Sequence, residues 1–320
     1  MPDILLSICI PTFNRAGFLQ KCLTSVMNQV TEEMPVEIII SDNCSNDNTQ
    51  DVIMNFSAHP KVRSYRQNEN MGAIKNCLKL IKEYSKGEFC WIIGDDDYII
   101  KGGIEAIVSI LQNKITTDFI FVKMAGYLPD EEFNKLSIKK DVDFEIIQKF
   151  EYLLHPKYSN VFLGELMAGI FRRKYWLQEE KIYENIEHEY LSTLETTYPH
   201  CVVYANQFMG KKALYISTPV IIDDHRAREW KNIAGYVAIE HLFTLLQLYK
   251  NNGLNGKLLI ICRNHYLKIT FPIFTNYLFN KKIPYRDKIS FRRYFALLVS
   301  HPILTLRLIY LKIFNFISKV

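Results

Sequence analysis

Gly94-Asp95-Asp96-Asp97 follow an apolar run, Phe89-Cys90-Trp91-Ile92-Ile93, whose composition predicts a buried strand. Three adjacent carboxylates at a strand end repel one another, and an oxygen-seeking divalent cation relieves that repulsion. A cation held there can grip a diphosphate and take up charge as the diphosphate departs. An isolated Asp triplet serves as readily as a solvated acidic turn. The other strand ends decide between the two.

Two of them carry polar clusters as well. The first predicted strand, 5–11, runs into Pro11-Thr12-Phe13-Asn14-Arg15. A turn there presents backbone amides and a guanidinium to a phosphate-bearing ligand. The strand 36–41 runs into Asp42-Asn43-Cys44-Ser45-Asn46-Asp47-Asn48-Thr49. Asp42 is suited to accept a hydrogen bond from a base or ribose edge. The same segment also reads as a turn and helix cap, with Ser45 or Asn46 capping. Asn68-Glu69-Asn70-Met71-Gly72 precedes a predicted helix. Gly72 permits close backbone approach, and a helix start favours anions.

The elements that position these clusters alternate. Strands are predicted at 5–11, 36–41, 62–66, 89–93 and 118–124, with helices at 17–29, 47–56, 72–84 and 101–113. This rhythm predicts a mostly parallel sheet flanked by helices, whose ligands bind beyond the carboxyl ends of the strands. After Gly126 the rhythm loosens. A charged excursion over 128–143 is followed by predicted strands at 161–171 and 214–222. Helical stretches are predicted at 187–209, interrupted by Pro199, at 227–249, and again from Leu258.

Taken together, Ile8-Cys9-Ile10-Pro11-Thr12-Phe13-Asn14-Arg15, then Ile38 to Thr49, then Asn68 to Gly72, then Gly94 to Asp97 resemble the family 2 glycosyltransferases. The four motifs come in the family's order over about residues 4–125. The resemblance implies a GT-A fold, an α/β nucleotide-binding domain joined to an acceptor-binding half. It implies inverting transfer from a nucleotide-sugar donor to a hydroxyl of a glycan or polyprenol-linked saccharide, with Mn²⁺ or Mg²⁺. By motif, Pro11, Thr12, Asn14 and Arg15 line the nucleotide pocket and Asp42 contacts the base, while Asn70 and Gly72 belong to the donor side. Asp97 is the metal ligand, Asp95 contacts the ribose or binds through water, and Asp96 supports them. The second half is similar to transferases of bacterial surface-polysaccharide assembly of the abequosyltransferase type.

The acceptor side departs from the family pattern, which often has a Glu-Asp pair at the start of a helix; this chain has no Glu-Asp pair. Glu195 lies twenty-two residues beyond Arg173, where the catalytic base is expected, with Glu165, Glu187 and Glu189 as rivals. His225 follows Asp223-Asp224 at a strand end and is a competent second metal ligand; nearby Arg226 and Arg228 suit phosphate. Trp230 stacks on a sugar or packs in the core.

Bulk properties bound the rest. The 320 residues are 48% hydrophobic, enough for a large core. Seven cysteines, an odd number without a CxxC spacing, predict buried thiols in a reducing compartment. The amino terminus, Met1-Pro2-Asp3, has no basic stretch before its short apolar run, so no secretory signal is expected. The net charge of +5 hides an asymmetry: residues 257–320 hold twelve Lys or Arg against Asp287 alone, so residues 1–256 sum to −6. No nucleic-acid-binding motif accompanies this pattern. A basic apolar tail on an acidic body predicts peripheral contact with an anionic membrane, here the inner face of the cytoplasmic membrane, with a C-terminal helix packed on the body as the alternative. The expected divisions are 1–125 for the donor, 126–256 for the acceptor and 257–320 for the basic helical extension. Two other classes fit some features. A sugar nucleotidyltransferase also uses a parallel sheet and acids, but a Gly-rich basic loop is expected near its first strand. A non-catalytic nucleotide-sugar or membrane-binding protein would lack a base.

Overall fold

The apolar runs at the amino-terminal end become the centre of one sheet. In the computed structural model, which describes residues 4–113, 117–138, 142–179, 191–224, 226 and 232–317, β1 (Leu6–Thr12) pairs in parallel with β2 (Val36–Asp42) and β4 (Phe89–Ile92), and β2 with β3 (Val62–Arg66). Nearly every residue of β1, β2 and β4 is buried. Strands covered on both faces need continuous rather than alternating apolar sequence. The helices α1 (Ala16–Met27), α2 (Thr49–Phe56), α3 (Ala73–Lys79) and α4 (Gly103–Gln112) follow β1, β2, β3 and β5 (Tyr98–Ile99) in turn. All four were expected from the sequence, as were β1, β2, β3 and β4 and the strand over 118–124 that follows α4.

The second half makes the sheet mixed. β6 (Phe119–Gly126) and β9 (Ala213–Asp223) are parallel. β8 (Gly169–Arg172) lies between β4 and β6 and is antiparallel to both. β5 and β7 (Phe144–Ile147) each pair antiparallel with β9. The order among the described residues is β3-β2-β1-β4-β8-β6-β9-β5, with β7 also on β9. Strands that begin within 1–125 and within 126–256 thus share one sheet.

The expected long strand at 161–171 is corrected. Only its last part, β8, pairs in the sheet. Phe162 and Leu163 take left-handed φ values of 57° and 66° and turn the chain instead. Their side chains are fully buried, so packing overrides the apolar pattern's preference for extension. β5 and β7 were not expected; both are short, and β7 faces outward at three of its four positions. The stretch 187–209 is described from Leu191. It splits at Tyr198 into α5 (Leu194–Thr197) and α6 (Pro199–Gln207), because proline at the start of α6 has no N–H to continue the ladder. The later long helices are α7 (Leu242–Asn251), α8 (Gly256–Phe279), α9 (Phe291–Val299) and α10 (Pro302–Ile317), with short helical turns at Asp130–Phe133, Arg173–Leu177 and Ala234–Tyr236.

Candidate active site

The tight turn after β4 fixes the Asp triplet. The Gly94 N–H donates to Asp97 Oδ2 at 2.9 Å, and the Asp97 N–H donates to the Gly94 carbonyl at 3.1 Å. A Cβ on Gly94 would meet Asp96 Oδ1 at 2.7 Å and Asp97 Oδ2 at 2.8 Å, so only glycine lets both acids fold back over the turn. β1 lies beside β4, and its end reaches the same acids. The Thr12 hydroxyl donates to Asp95 Oδ2 at 2.8 Å, and Arg15 Nη1 donates to Asp95 Oδ1 and Asp96 Oδ2, each at 3.1 Å.

Burial makes this cluster costly without a ligand. Asp95 is pushed up to about 6, chiefly by desolvation and partly offset by Arg15. Asp96 is also raised, by burial first. Asp97 is raised well above the usual carboxylate range by burial, then by the charges of Asp96, Asp223 and Asp95. Its Oδ1 is buried with no hydrogen-bond partner. A buried carboxylate oxygen left this way is open to a water or an ion.

Asp223, at the end of β9, is an acid of this site that the sequence reading did not single out. The signal was present, since it ends an apolar strand as Asp95 follows one. Among the described residues no group of three or more His, Cys, Asp or Glu stands at metal-ligand spacing. Asp97 Oδ1 is the oxygen of the triplet that stands buried and available to a cation.

The β1 and β2 loops are laced together. Asn14, left-handed at φ 53°, takes the Asn46 N–H on its side-chain oxygen at 2.7 Å and donates its own N–H to Ser45 Oγ at 2.8 Å. The Ala16 N–H, opening α1, donates to Asp47 at 3.0 Å. Pro11 sits within β1 opposite Ser41. Asn70 Oδ1 accepts from Asn43 Nδ2 at 2.7 Å and from the Gly72 N–H at 2.9 Å. Gly72, at φ 85°, leads into α3 with open space where a Cβ would stand.

Asp42 fills the turn-capping role expected of its segment. It has no exposed surface; Oδ1 accepts from the Ser45 N–H at 2.9 Å and its hydroxyl at 2.5 Å, while Oδ2 accepts from Gln50 Nε2 at 2.5 Å. A carboxylate so occupied anchors the turn, and it does so at the strand end where the base contact is expected. Arg226 is held by Asp224, its Nε at 2.8 Å from Oδ1, and stacks 3.6 Å from the Tyr127 ring centroid. It lines a cleft together with Asn14, Arg15, Lys21, Asp47 and Tyr98, so two of the expected donor-side cations share one wall. His225, Glu187, Glu189, Arg228 and Trp230 lie outside the described residues.

Glu195 occupies the first turn of α5, which Thr193 caps through the Thr196 N–H. Glu165 lies in the loop before β8. Its Oε2 accepts from the Ser159 hydroxyl at 2.7 Å, and burial raises its pKa. Two residues on, the Met167 carbonyl accepts the Trp91 indole N–H at 2.7 Å, which ties this loop to the end of β4. The two regions touch: Gly164 packs so closely on the Tyr198 ring that a Cβ would come within 2.9 Å of it.

A mixed sheet with phosphate-suited loops and buried acids at the ends of β1 and β4 defines a nucleotide-handling α/β enzyme. Residues 7–177 match the profile of Glycosyl transferase family 2, and the chain belongs to that family. It is a glycosyltransferase using a nucleotide-sugar donor. It is 28% identical over 248 residues to the abequosyltransferase RfbV of Salmonella typhimurium, covering 75% of this chain and 73% of that one. It is also 28% identical over 181 residues to the GalNAc(5)-diNAcBac-PP-undecaprenol beta-1,3-glucosyltransferase of Campylobacter jejuni, about half of each chain. The crystal structure of Staphylococcus aureus TarS 1–349 superposes with a TM-score of 0.59 at 18% identity, covering 88% of this chain and 77% of that one. That likeness bears out the GT-A fold.

Proposed function

We propose that this enzyme is an inverting, metal-dependent glycosyltransferase that moves a sugar to a hydroxyl of a lipid-linked saccharide during surface-polysaccharide assembly. The observation that carries the reading is the buried, orphaned Oδ1 of Asp97 within an acid cluster that Arg15 and Thr12 tie to the end of β1. The RfbV and Campylobacter relatives support the substrate class.

Residues 1–125 supply most of the donor site, with Asp223 and Arg226 reaching it from the second half, and residues 126–256 otherwise serve the acceptor. Asp97 would hold Mn²⁺ or Mg²⁺, with Asp96 and Asp223 close by, and a cation bound there would supply positive charge to the diphosphate. Arg15 and Arg226 face the same cleft and supply fixed positive charge to the phosphates. Asp95, fixed by Thr12 and Arg15, positions the donor. Glu195 takes the proton from the acceptor hydroxyl. The hydroxyl oxygen attacks the anomeric carbon from the face opposite the diphosphate, the carbon–diphosphate bond breaks, and the configuration inverts. Glu165 is the second candidate base, favoured by its burial and raised pKa beside the end of β4. The reaction takes place at the cytoplasmic face of the membrane that carries the acceptor.

The test is a thermal-shift screen of nucleotide sugars with and without Mn²⁺. A donor that binds the folded state alone raises the midpoint through linkage. The reading predicts a shift for at least one nucleotide sugar that grows with Mn²⁺. Shifts that ignore Mn²⁺ for every donor would remove the metal from the account.

A further inference from the structure

Exposed large apolar side chains concentrate in the last two helices. On α9 the exposed positions are Arg292, Phe295, Ala296 and Val299, spaced i, i+3, i+4, i+7 and therefore on one face. The opposite face, Tyr294 and Leu298, is buried. α10 is exposed more widely: Ile303, Leu306, Arg307 and Tyr310 line one face, Ile309 and Leu311 flank it, and Leu308 is buried. Val299 is 79% exposed, Ile303 86% and Leu306 69%.

These helices are fastened by their other faces. The Tyr294 ring stacks on Phe274 at 3.8 Å, and its hydroxyl lies 2.7 Å from that of Thr270. Arg293 pairs with Glu240, which also accepts the Ser290 N–H at 2.8 Å. Lys312 reaches Thr275. The outward apolar faces therefore belong to the folded arrangement.

Whatever covers them must be apolar within and anionic at its surface, because each face carries an arginine and the region from 257 to 320 is strongly basic. A second copy of the chain would bring Arg292 and Arg307 against their own counterparts, and like charges oppose that pairing. Among the described residues no single helix is long and apolar enough to cross a membrane; α9 and α10 together have the length and composition, but they meet at 108° and their inner faces are packed on the body, which sets them along a bilayer surface rather than across it. We propose that the outer faces of α9 and α10 lay the protein onto an anionic lipid bilayer. The apolar side chains enter the interfacial zone while Arg292 and Arg307 sit among the lipid phosphates. This deepens the proposed function by naming the membrane-facing surface.

The test is flotation of the full chain with vesicles of phosphatidylcholine alone or mixed with phosphatidylglycerol. It uses no donor or acceptor, so its outcome is independent of whether transfer occurs. The wild type floats with the mixed vesicles, less with the neutral ones, and salt releases it. The pair Arg292→Gln and Arg307→Gln weakens binding to the mixed vesicles roughly 25-fold. The triple change Val299→Ser, Ile303→Ser and Leu306→Ser abolishes it. All five sites are exposed, and an unchanged unfolding midpoint confirms that the variants fold. Folded wild type that floats with neither vesicle overturns the proposal. So does equal flotation of the variants, or a dimer in solution that the triple change dissolves.

Discussion

The Arg15 guanidinium lies 3.1 Å from the Asp95 carboxylate, eighty residues further along the chain. The same Nη1 also reaches Asp96 at 3.1 Å. One cation thus joins the end of β1 to the turn after β4 and offsets part of the cost of burying the acids. Charge-assisted bonds of this kind contribute about 1.5–3 kcal/mol. Arg15→Gln is therefore expected to weaken donor binding by roughly one to two orders of magnitude. Arg15→Lys should recover part of the loss, since charge returns without the planar guanidinium. Calorimetric titration of the donor in the presence of Mn²⁺ measures both. Unchanged affinity in Arg15→Gln would place Arg15 outside the donor site.

Gly94→Ala tests the geometry of the turn. The added Cβ falls within 2.8 Å of two carboxylate oxygens. The acids must shift, and turnover should fall at least about tenfold while the unfolding midpoint changes by only a few degrees. Wild-type turnover would show that the acids need not fold over the turn.

Asp95, pushed up to about 6 by burial, gives donor binding a pH dependence. Between the ordinary value of 3.8 and about 6 the folded protein keeps a proton that the unfolded chain has released. In this window the group lowers stability as pH rises, by up to about 3 kcal/mol. A cation and donor that require the ionised form relieve that cost. Their combined thermal shift should be larger at about pH 8 than at about pH 5. Equal shifts at both would detach Asp95 from the ligand.

His200 contributes the opposite slope. It is buried, its Nδ1 has no partner, and its pKa is lowered to about 4 by desolvation. Between 6.5 and about 4 the unfolded chain takes up a proton that the folded chain excludes. Its contribution is complete above 6.5 and is lost as pH falls, by about 3 kcal/mol in full. His200→Gln removes this titration, so its unfolding midpoint should fall less between about pH 7 and pH 5 than that of the wild type. Chemical denaturation across that range compares the slopes.

The donor side was legible in the sequence because each of its parts is local. Apolar runs covered on both faces announce their own strands, and the polar loops follow them directly. Thr12, Arg15 and Asp95 could be named without knowing that they touch. Asp42 shows the limit of such reading. Its place at the strand end is plain from the sequence, but the bonds its oxygens accept from Ser45 and Gln50 are set by the folded loop. The loop before β8 was illegible for another reason. Phe162 and Leu163 have a strand's composition, and long-range packing holds them in a turn. Asp223 meets the triplet only through the β6–β9 half of the sheet, a relationship with no spacing in sequence to reveal it.

The two candidate bases separate by substitution. Glu195→Gln should leave donor binding intact and lower turnover by about two to four orders of magnitude. Glu165→Gln should lose stability with a smaller loss of turnover, because its carboxylate holds Ser159 and the loop around it. The reverse pattern would make Glu165 the base.

The most direct measurement follows the products of the reaction. A responsive nucleotide sugar is incubated with a lipid-linked saccharide acceptor, and the wild type is compared with Asp97→Asn, with Mn²⁺ and after chelation. The account predicts glycosylated acceptor and nucleoside diphosphate in equal amounts from the wild type with Mn²⁺. It predicts at least about a hundredfold less from Asp97→Asn or after chelation. Pyrophosphate as the product would indicate nucleotidyl transfer. Donor binding without turnover would indicate a binding protein, and full activity in Asp97→Asn would contradict the site at the end of β4.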